Sequence, residues 1–120
     1  MRVMVLNRHG LISKRPLQLE ERPIPTPAAG DLLIKISCCA ICRTDLHVIE
    51  GELAERPLPI VPGHQYVGRV VAKGLSTSDD IVVGDRVGVA WLRGTCGGCS
   101  YCRAGRENLC EGARFTGYDE

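Results

Sequence analysis

Residues 96–110 read CGGCSYCRAGRENLC, which sets Cys96, Cys99, Cys102 and Cys110 at the spacing C-x2-C-x2-C-x7-C. Four thiolates converging from one short loop can close a tetrahedral cage around Zn²⁺ and leave no position open for water or substrate. Such a cage shapes the chain and performs no chemistry, so any reactive centre lies elsewhere. An iron–sulfur cluster is the competing use of clustered cysteines, but the bacterial ferredoxin run has three residues before its last cysteine and a proline after it. Here seven residues precede Cys110 and Glu111 follows it. Cysteines buried as small apolar side chains do not suit a stretch so rich in Gly, Arg, Ser and Asn. The loop at 94–112 therefore reads as a structural-zinc lobe, whose metal contributes on the order of 10 kcal/mol of apparent folding free energy.

The whole chain carries seven cysteines in 120 residues, an odd number. A secreted disulfide framework favours an even count, whereas reduced thiols at metal-ligand spacing suit a cytosolic protein. The N-terminus MRVMVLNRHG lacks the basic-then-apolar pattern of a signal peptide, and the expected location is cytoplasmic. Fifteen basic and 14 acidic side chains nearly cancel, which leaves no electrostatic footprint for nucleic acid or a membrane surface. The longest apolar runs, such as 32–36 and 81–83, are far too short to span a bilayer. The length suits one domain with a real core.

Working back from the cysteine loop, the chain reads as many short strands punctuated by Gly and Pro. Residues 2–6 alternate weakly, and 17–21 look like their returning partner. The run ERPIPTPAAGD places three prolines and a Gly-Asp turn together, which no regular element accommodates. In 31–39, Leu32, Ile34, Ile36 and Cys38 fall on one strand face, with Lys35 and Ser37 on the other. Residues 42–50 predict a short helix, capped by Thr44 or Asp45 and stopped by Gly51. Three more prolines make 56–62 an extended loop leading to Gly63-His64, and 65–73 is a valine-rich strand closed by Gly74. In STSDDIVVGDRVGVAW a turn at Gly84-Asp85 separates two apolar runs, a hairpin signal. The expected fold class is mainly β, a barrel or sandwich with short helices.

Two further metal donors bracket the middle of the chain: Cys42 opens CRTDLHVIEG, and His64 sits in PGHQYVGRVV. A catalytic zinc takes three protein ligands and one open position, and Cys₂His is a known set. Asp45 can accept a hydrogen bond from the far nitrogen of His64, which fixes its tautomer and strengthens it as a ligand. Thr44 and His47, three apart on a helix, share one side and can hand a proton along. Each signal is weak alone, since a single histidine is more often structural than a ligand.

Taken in order, CRTDLH, PGHxxxGRVVxxG, GDRV and the four-cysteine loop resemble the zinc-dependent medium-chain alcohol dehydrogenases, from Arg2 to the last residues. The resemblance implies a GroES-like β-barrel, a name that describes a shape and carries no chaperonin activity. It implies Cys42 and His64 as two ligands of a catalytic zinc, and Cys96, Cys99, Cys102 and Cys110 as the structural-zinc ligands. Asp45 matches the carboxylate behind the histidine ligand, Thr44 the hydroxyl that touches the alcohol, and His47 the outer end of a proton relay. Arg43 matches a position that contacts the cofactor pyrophosphate. Trp91, in AWLRGTC, resembles the bulky pocket wall of members that prefer small primary alcohols, and reads equally as a core tryptophan beside the zinc lobe. The implied reaction oxidises a small primary alcohol to an aldehyde, by Lewis-acid catalysis at zinc with hydride passing to NAD or NADP.

In the family, the third catalytic ligand and the Rossmann domain with its GxGxxG turn come later than Glu120. Residues 1–120 are thus expected to be the N-terminal GroES-like part of the catalytic domain, with the Rossmann cofactor domain absent, and to be inactive alone. The expected partners are a small alcohol or aldehyde and the missing cofactor domain, with a homo-oligomer left open and neither nucleic acid nor membrane. The alternative function is a stand-alone zinc-stabilised β-domain that binds a protein partner through an exposed apolar cleft. Gln65 stands where the family usually has glutamate, a change that would leave the metal site more electropositive. Cys39-Ala40-Ile41-Cys42 spells C-x-x-C, but a thioredoxin-like site needs a βαβ context, so Cys39 reads as a buried strand residue. A thiol redox sensor built on Cys38, Cys39 and Cys42 is the third alternative.

Overall fold

In the computed structural model, which describes residues 1–53 and 56–119, the opening segments pair as expected. Strand β1 (Arg2–Leu6) runs antiparallel to β2 (Leu17–Glu21), from Arg2 opposite Glu21 to Leu6 opposite Leu17. Val5 and Leu6 are fully buried at the inner end of β1. Leu6 also exchanges two backbone hydrogen bonds with Ile60, 2.8 and 3.1 Å, so the first sheet is tied to the proline-rich loop that leads to His64. That loop is extended, as its prolines require.

Strands β3 (Leu32–Cys39), β4 (Tyr66–Lys73) and β5 (Arg86–Val89) form a second antiparallel sheet with β4 in the middle. The expected one-sided alternation of β3 does not hold. Its register against β4 shifts between Leu33 and Ile34 and again between Ile36 and Cys38, and each bulge turns the following side chains. Ile36, Cys38 and Cys39 consequently stand exposed. Gly68 lies at this irregular contact, where an added Cβ would sit 2.5 Å from the Lys35 carbonyl oxygen. A second correction concerns the hairpin signal at Gly84-Asp85. Residues 81–83 form no strand, and β5 pairs instead with β4, Tyr66 opposite Val89. The turn carries the chain back to the sheet's existing edge, where more backbone donors are available than a lone hairpin would offer.

Helix α1 (Arg43–Glu50) turns Asp45, Val48 and Ile49 inward, the i, i+3, i+4 face of a short amphipathic helix. Its N-cap is Cys42, not Thr44 or Asp45. The Cys42 sulfur accepts the Thr44 N–H at 3.3 Å, while Asp45 reaches back to the Cys42 N–H at 2.8 Å, a reciprocal capping box. Gly51 ends the helix in the left-handed region at φ 79°, as expected. The exposed carbonyls at that end are taken up from the N-terminal segment: His9 Nδ1 donates to Val48 O at 3.0 Å, and the Gly10 N–H to Ile49 O at 3.1 Å.

A third, two-stranded sheet, β6 (Leu92–Gly94) with β7 (Arg114–Phe115), closes the base of the cysteine loop. Inside the loop lies the short helix α2 (Ser100–Arg103). The core gathers Leu6, Val48, Ile49, Ile60 and Tyr118, with Leu17, Leu58, Trp91 and Phe115 packed against it. It draws on the first sheet, α1 and the turn at 116–119, and Trp91, packed against it, meets His64. Among the described residues, no helix is long and apolar enough to cross a membrane.

Candidate functional site

The terminal loop brings its four sulfurs together. The Sγ atoms of Cys96, Cys99, Cys102 and Cys110 all lie within 4.8 Å of one another. Cys96 and Cys102 are 4.0 Å apart, and Cys99 and Cys102 are 3.5 Å apart. Zn–S bonds of about 2.3 Å at tetrahedral angles separate sulfurs by about 3.8 Å, so the cage fits the ion. All four thiols are free of disulfides. Backbone N–H groups already aim at the sulfurs: Cys96 N at Cys110 Sγ (3.4 Å), Cys99 N at Cys96 Sγ (3.3 Å) and Cys102 N at Cys99 Sγ (3.4 Å). These donors favour thiolates. The Cys96 thiol is held down to about 6, first by the Gly98 and then by the Cys99 backbone N–H. Cys102 moves the other way, pushed up to about 11 by desolvation and by the neighbouring Cys99.

The second cluster lies at the head of α1. Cys42 Sγ stands 3.3 Å from His64 Nε2, and His64 Nδ1 donates to Asp45 Oδ1 at 2.9 Å. Both His64 and Asp45 are buried. With the proton on Nδ1, the Nε2 lone pair faces the thiol. A zinc ion bonded to sulfur at about 2.3 Å and to nitrogen at about 2.0 Å holds those atoms roughly 3.5 Å apart, close to the separation seen. The donor set fits a zinc ion with two ligands from this stretch. Asp45 also lies within 4.8 Å of both donor atoms, but its oxygens are engaged by His64 and by the Cys42 N–H.

Thr44 and His47 sit half-buried, three residues apart on α1. His47 Nδ1 meets the carboxylate of Glu52, just beyond the helix. That partner was not foreseen, although an acidic residue one position past a helix-ending glycine is the available signal. Arg43 opens the helix with its side chain exposed. Gln65 is exposed too, its backbone oxygen accepting the Ala40 N–H at 2.8 Å. Cys39 is not the buried strand residue expected: the bulge in β3 leaves it exposed, beside Gly63.

Trp91 stands between the core and the second cluster. It packs on the core, and its ring meets His64 edge-on, 5.0 Å between centroids at 82°. Phe115 and Tyr118 extend the aromatic cluster at 5.1 and 5.6 Å from Trp91. Neither was singled out from sequence, because their contacts with Trp91 span the whole cysteine loop. A cavity of about 270 Å³, lined in part by Cys39, Gly63, Thr116 and Gly117, adjoins the His64 loop. A larger one of about 560 Å³ lies against Pro25–Ile34 residues such as Leu32, with Tyr66 and Arg93, and holds none of the expected site residues.

The alcohol dehydrogenase GroES-like domain family matches residues 28–118. A protein of Mycobacterium tuberculosis named "Probable alcohol dehydrogenase AdhA" is 45% identical over 118 residues, covering 95% of this chain and 34% of its own length. Among solved structures, an NAD-dependent alcohol dehydrogenase superposes with a TM-score of 0.89 at 28% identity, over 100% of this chain and 34% of that one. A cobalt- and zinc-bound thermostable alcohol dehydrogenase from Pyrobaculum aerophilum superposes with a TM-score of 0.86 at 30% identity, over 98% and 35%. The chain spans about a third of the length of the curated relatives it matches.

Proposed function

This chain belongs to the alcohol dehydrogenase GroES-like domain family, and from that membership we propose that it is the N-terminal part of the catalytic domain of a zinc-dependent, NAD(P)-linked alcohol dehydrogenase. The observation that carries the reading is the triangle of Cys42, His64 and Asp45, preassembled beside an aromatic wall. Cys42 and His64 would hold the catalytic zinc, and Cys96, Cys99, Cys102 and Cys110 the structural one. When bound, zinc supplies Lewis acidity toward an alcohol oxygen, and the nicotinamide cofactor supplies the hydride acceptor.

The residues of this chain then do the following. Asp45 fixes the His64 tautomer and aims Nε2. The Thr44 hydroxyl hydrogen-bonds the substrate oxygen and takes its proton, and His47 passes that proton outward. Glu52, against His47, fixes the imidazole at the outer end of the path. Trp91 limits the space beside His64, which favours small primary alcohols, and Arg43 meets the cofactor's phosphates from its exposed place at the start of α1. The partners are a small alcohol or aldehyde and a cofactor-binding domain, and the setting is the cytoplasm. A protein-binding module built on this fold would leave the buried His64–Asp45 pair without a task, which is why the dehydrogenase reading is preferred. The test is NAD(P) reduction by ethanol with the zinc-loaded native polypeptide, meaning this chain joined to its cofactor-binding domain; no turnover with either cofactor, at full metal content, defeats the proposal.

A further inference from the structure

The ring of Tyr118, buried in the last turn of the described residues, meets Trp91 and Arg56, partners of different kinds. Trp91 stacks on it at 5.6 Å, with the planes 25° apart. The Arg56 guanidinium lies over it, 4.8 Å from the centroid. Arg56 also holds the residue next to Tyr118: its Nε is 2.6 Å from Asp119 Oδ1. That N–H is not aligned for a hydrogen bond, so the contact is one of charge. The other carboxylate oxygen, Asp119 Oδ2, accepts the Phe115 N–H at 2.6 Å. Asp119 therefore grips both ends of the turn that presents Phe115 and Tyr118 to Trp91.

The links of this chain of contacts differ in kind: a charge contact, a guanidinium–ring contact and a ring stack. The ion pair is only partly exposed, 36% for Arg56 and 18% for Asp119, so water screens it less than a free surface pair. A guanidinium is planar and can lie on a ring and face a carboxylate at once, which an ammonium cannot do equally well. Beyond Tyr118, Trp91 has one neighbour that bears on chemistry, the edge-on ring of His64. Nothing in the sequence pattern marked Arg56, which stands in the proline loop 35 residues before Trp91.

We propose that Arg56 is a positioning residue: through Asp119 and Tyr118 it sets the angle of Trp91 against His64, and so the width of the alcohol-binding space. The second half of that statement rests on the dehydrogenase reading; the first half does not. Among the described residues Arg56 meets Asp119 and Tyr118, and the proposed effect on Trp91 runs through that pair.

Trp91 is the chain's single tryptophan, so incorporation of 5-fluorotryptophan gives one ¹⁹F resonance that reports its setting. Arg56→Gln and Asp119→Asn are each expected to shift or broaden that line, and the double variant to do no more than either alone, since the two residues act as a unit. Arg106→Gln removes a similar guanidinium–ring contact, with Tyr101 in the cysteine lobe, and is expected to leave the line in place. An unmoved line in Arg56→Gln, or displacements that add in the double variant, overturns the proposal. If Arg56→Gln does not fold by circular dichroism, Asp119→Asn carries the same expectation and the same refutation.

In the native polypeptide, Arg56→Gln is expected to lower the preference for ethanol over benzyl alcohol by about tenfold, the smaller end of what one methylene's worth of pocket contact supplies. A shifted line with unchanged preference overturns the claim on pocket width alone. A native polypeptide that oxidises neither alcohol defeats the dehydrogenase reading, while the ¹⁹F result still decides whether Arg56 sets Trp91.

Discussion

Gly117 and Gly63 touch through their backbones: a Cβ built on Gly117 would lie 2.2 Å from the Gly63 carbonyl oxygen and 2.7 Å from its nitrogen. Gly63 immediately precedes His64, so the last turn of the chain is seated against the loop that aims a candidate metal ligand. Gly117→Ala is expected to cost about 1–3 kcal/mol, from overpacking together with a left-handed backbone that alanine resists. Gly105→Ala is the control, since it has the same φ of 67° and nothing within 4 Å of its Cβ position. Thermal unfolding of the two variants separates the contributions, and equal losses would remove the argument from contact.

Asp45 has two tasks, closing the capping box of α1 on the Cys42 N–H and orienting His64. Asp45→Ala is expected to weaken metal binding at Cys42 and His64 by about 10–100-fold. The lost cap adds roughly 1 kcal/mol of destabilisation. Cobalt titration of the native polypeptide, followed through the thiolate-to-metal absorption, measures the first effect. Chemical denaturation measures the second. An affinity equal to that of the parent would exclude Asp45 from the ligand's support.

The thiols of the cysteine lobe should react in a defined order once metal is removed. Cys96, held down to about 6, is a thiolate at neutral pH, whereas Cys102, pushed up to about 11, is a thiol. In the metal-free lobe, the stabilisation tied to Cys96 is fully present above the ordinary thiol value of 9.0 and is lost as pH falls through about 6. That tied to Cys102 is present below 9.0 and lost as pH rises through about 11. Iodoacetamide at pH near 7 is therefore expected to modify Cys96 before Cys102, because the thiolate is the nucleophile. Added zinc should protect all four. Peptide mapping by mass spectrometry reads the order, and early labelling of Cys102 would contradict it.

Thr44→Val and His47→Gln interrupt the proposed proton path without touching a metal ligand. Each is expected to slow alcohol oxidation by the native polypeptide about 10²-fold, at the lower bound of general acid–base contributions. Zinc content should stay unchanged. Wild-type rates in both variants would mean that the proton leaves by another route.

Much of this was legible because the informative residues are close in sequence. The four cysteines span one loop, and their spacing alone specified the cage that the structure assembles. The pairing of 2–6 with 17–21 and the stop at Gly51 followed from local alternation and from a glycine's access to positive φ. The failures have physical reasons too. Two bulges in β3 broke an alternation that looked clean, and they left Cys39 in the open. Cys42 displaced Thr44 and Asp45 as the helix cap, since sulfur is seldom considered among capping acceptors. Arg56, Asp119, Phe115 and Tyr118 meet only after the chain has traversed the cysteine lobe, and no periodicity encodes so long a return.

The sulfur of Cys42 starts a helix and faces His64 at the same time. Alkylating or oxidising that one atom would weaken the acceptor for the Thr44 amide, one half of the reciprocal contact that starts α1. Chemical change at that sulfur would therefore be felt twice, in the contact with His64 and at the start of the helix that carries Asp45.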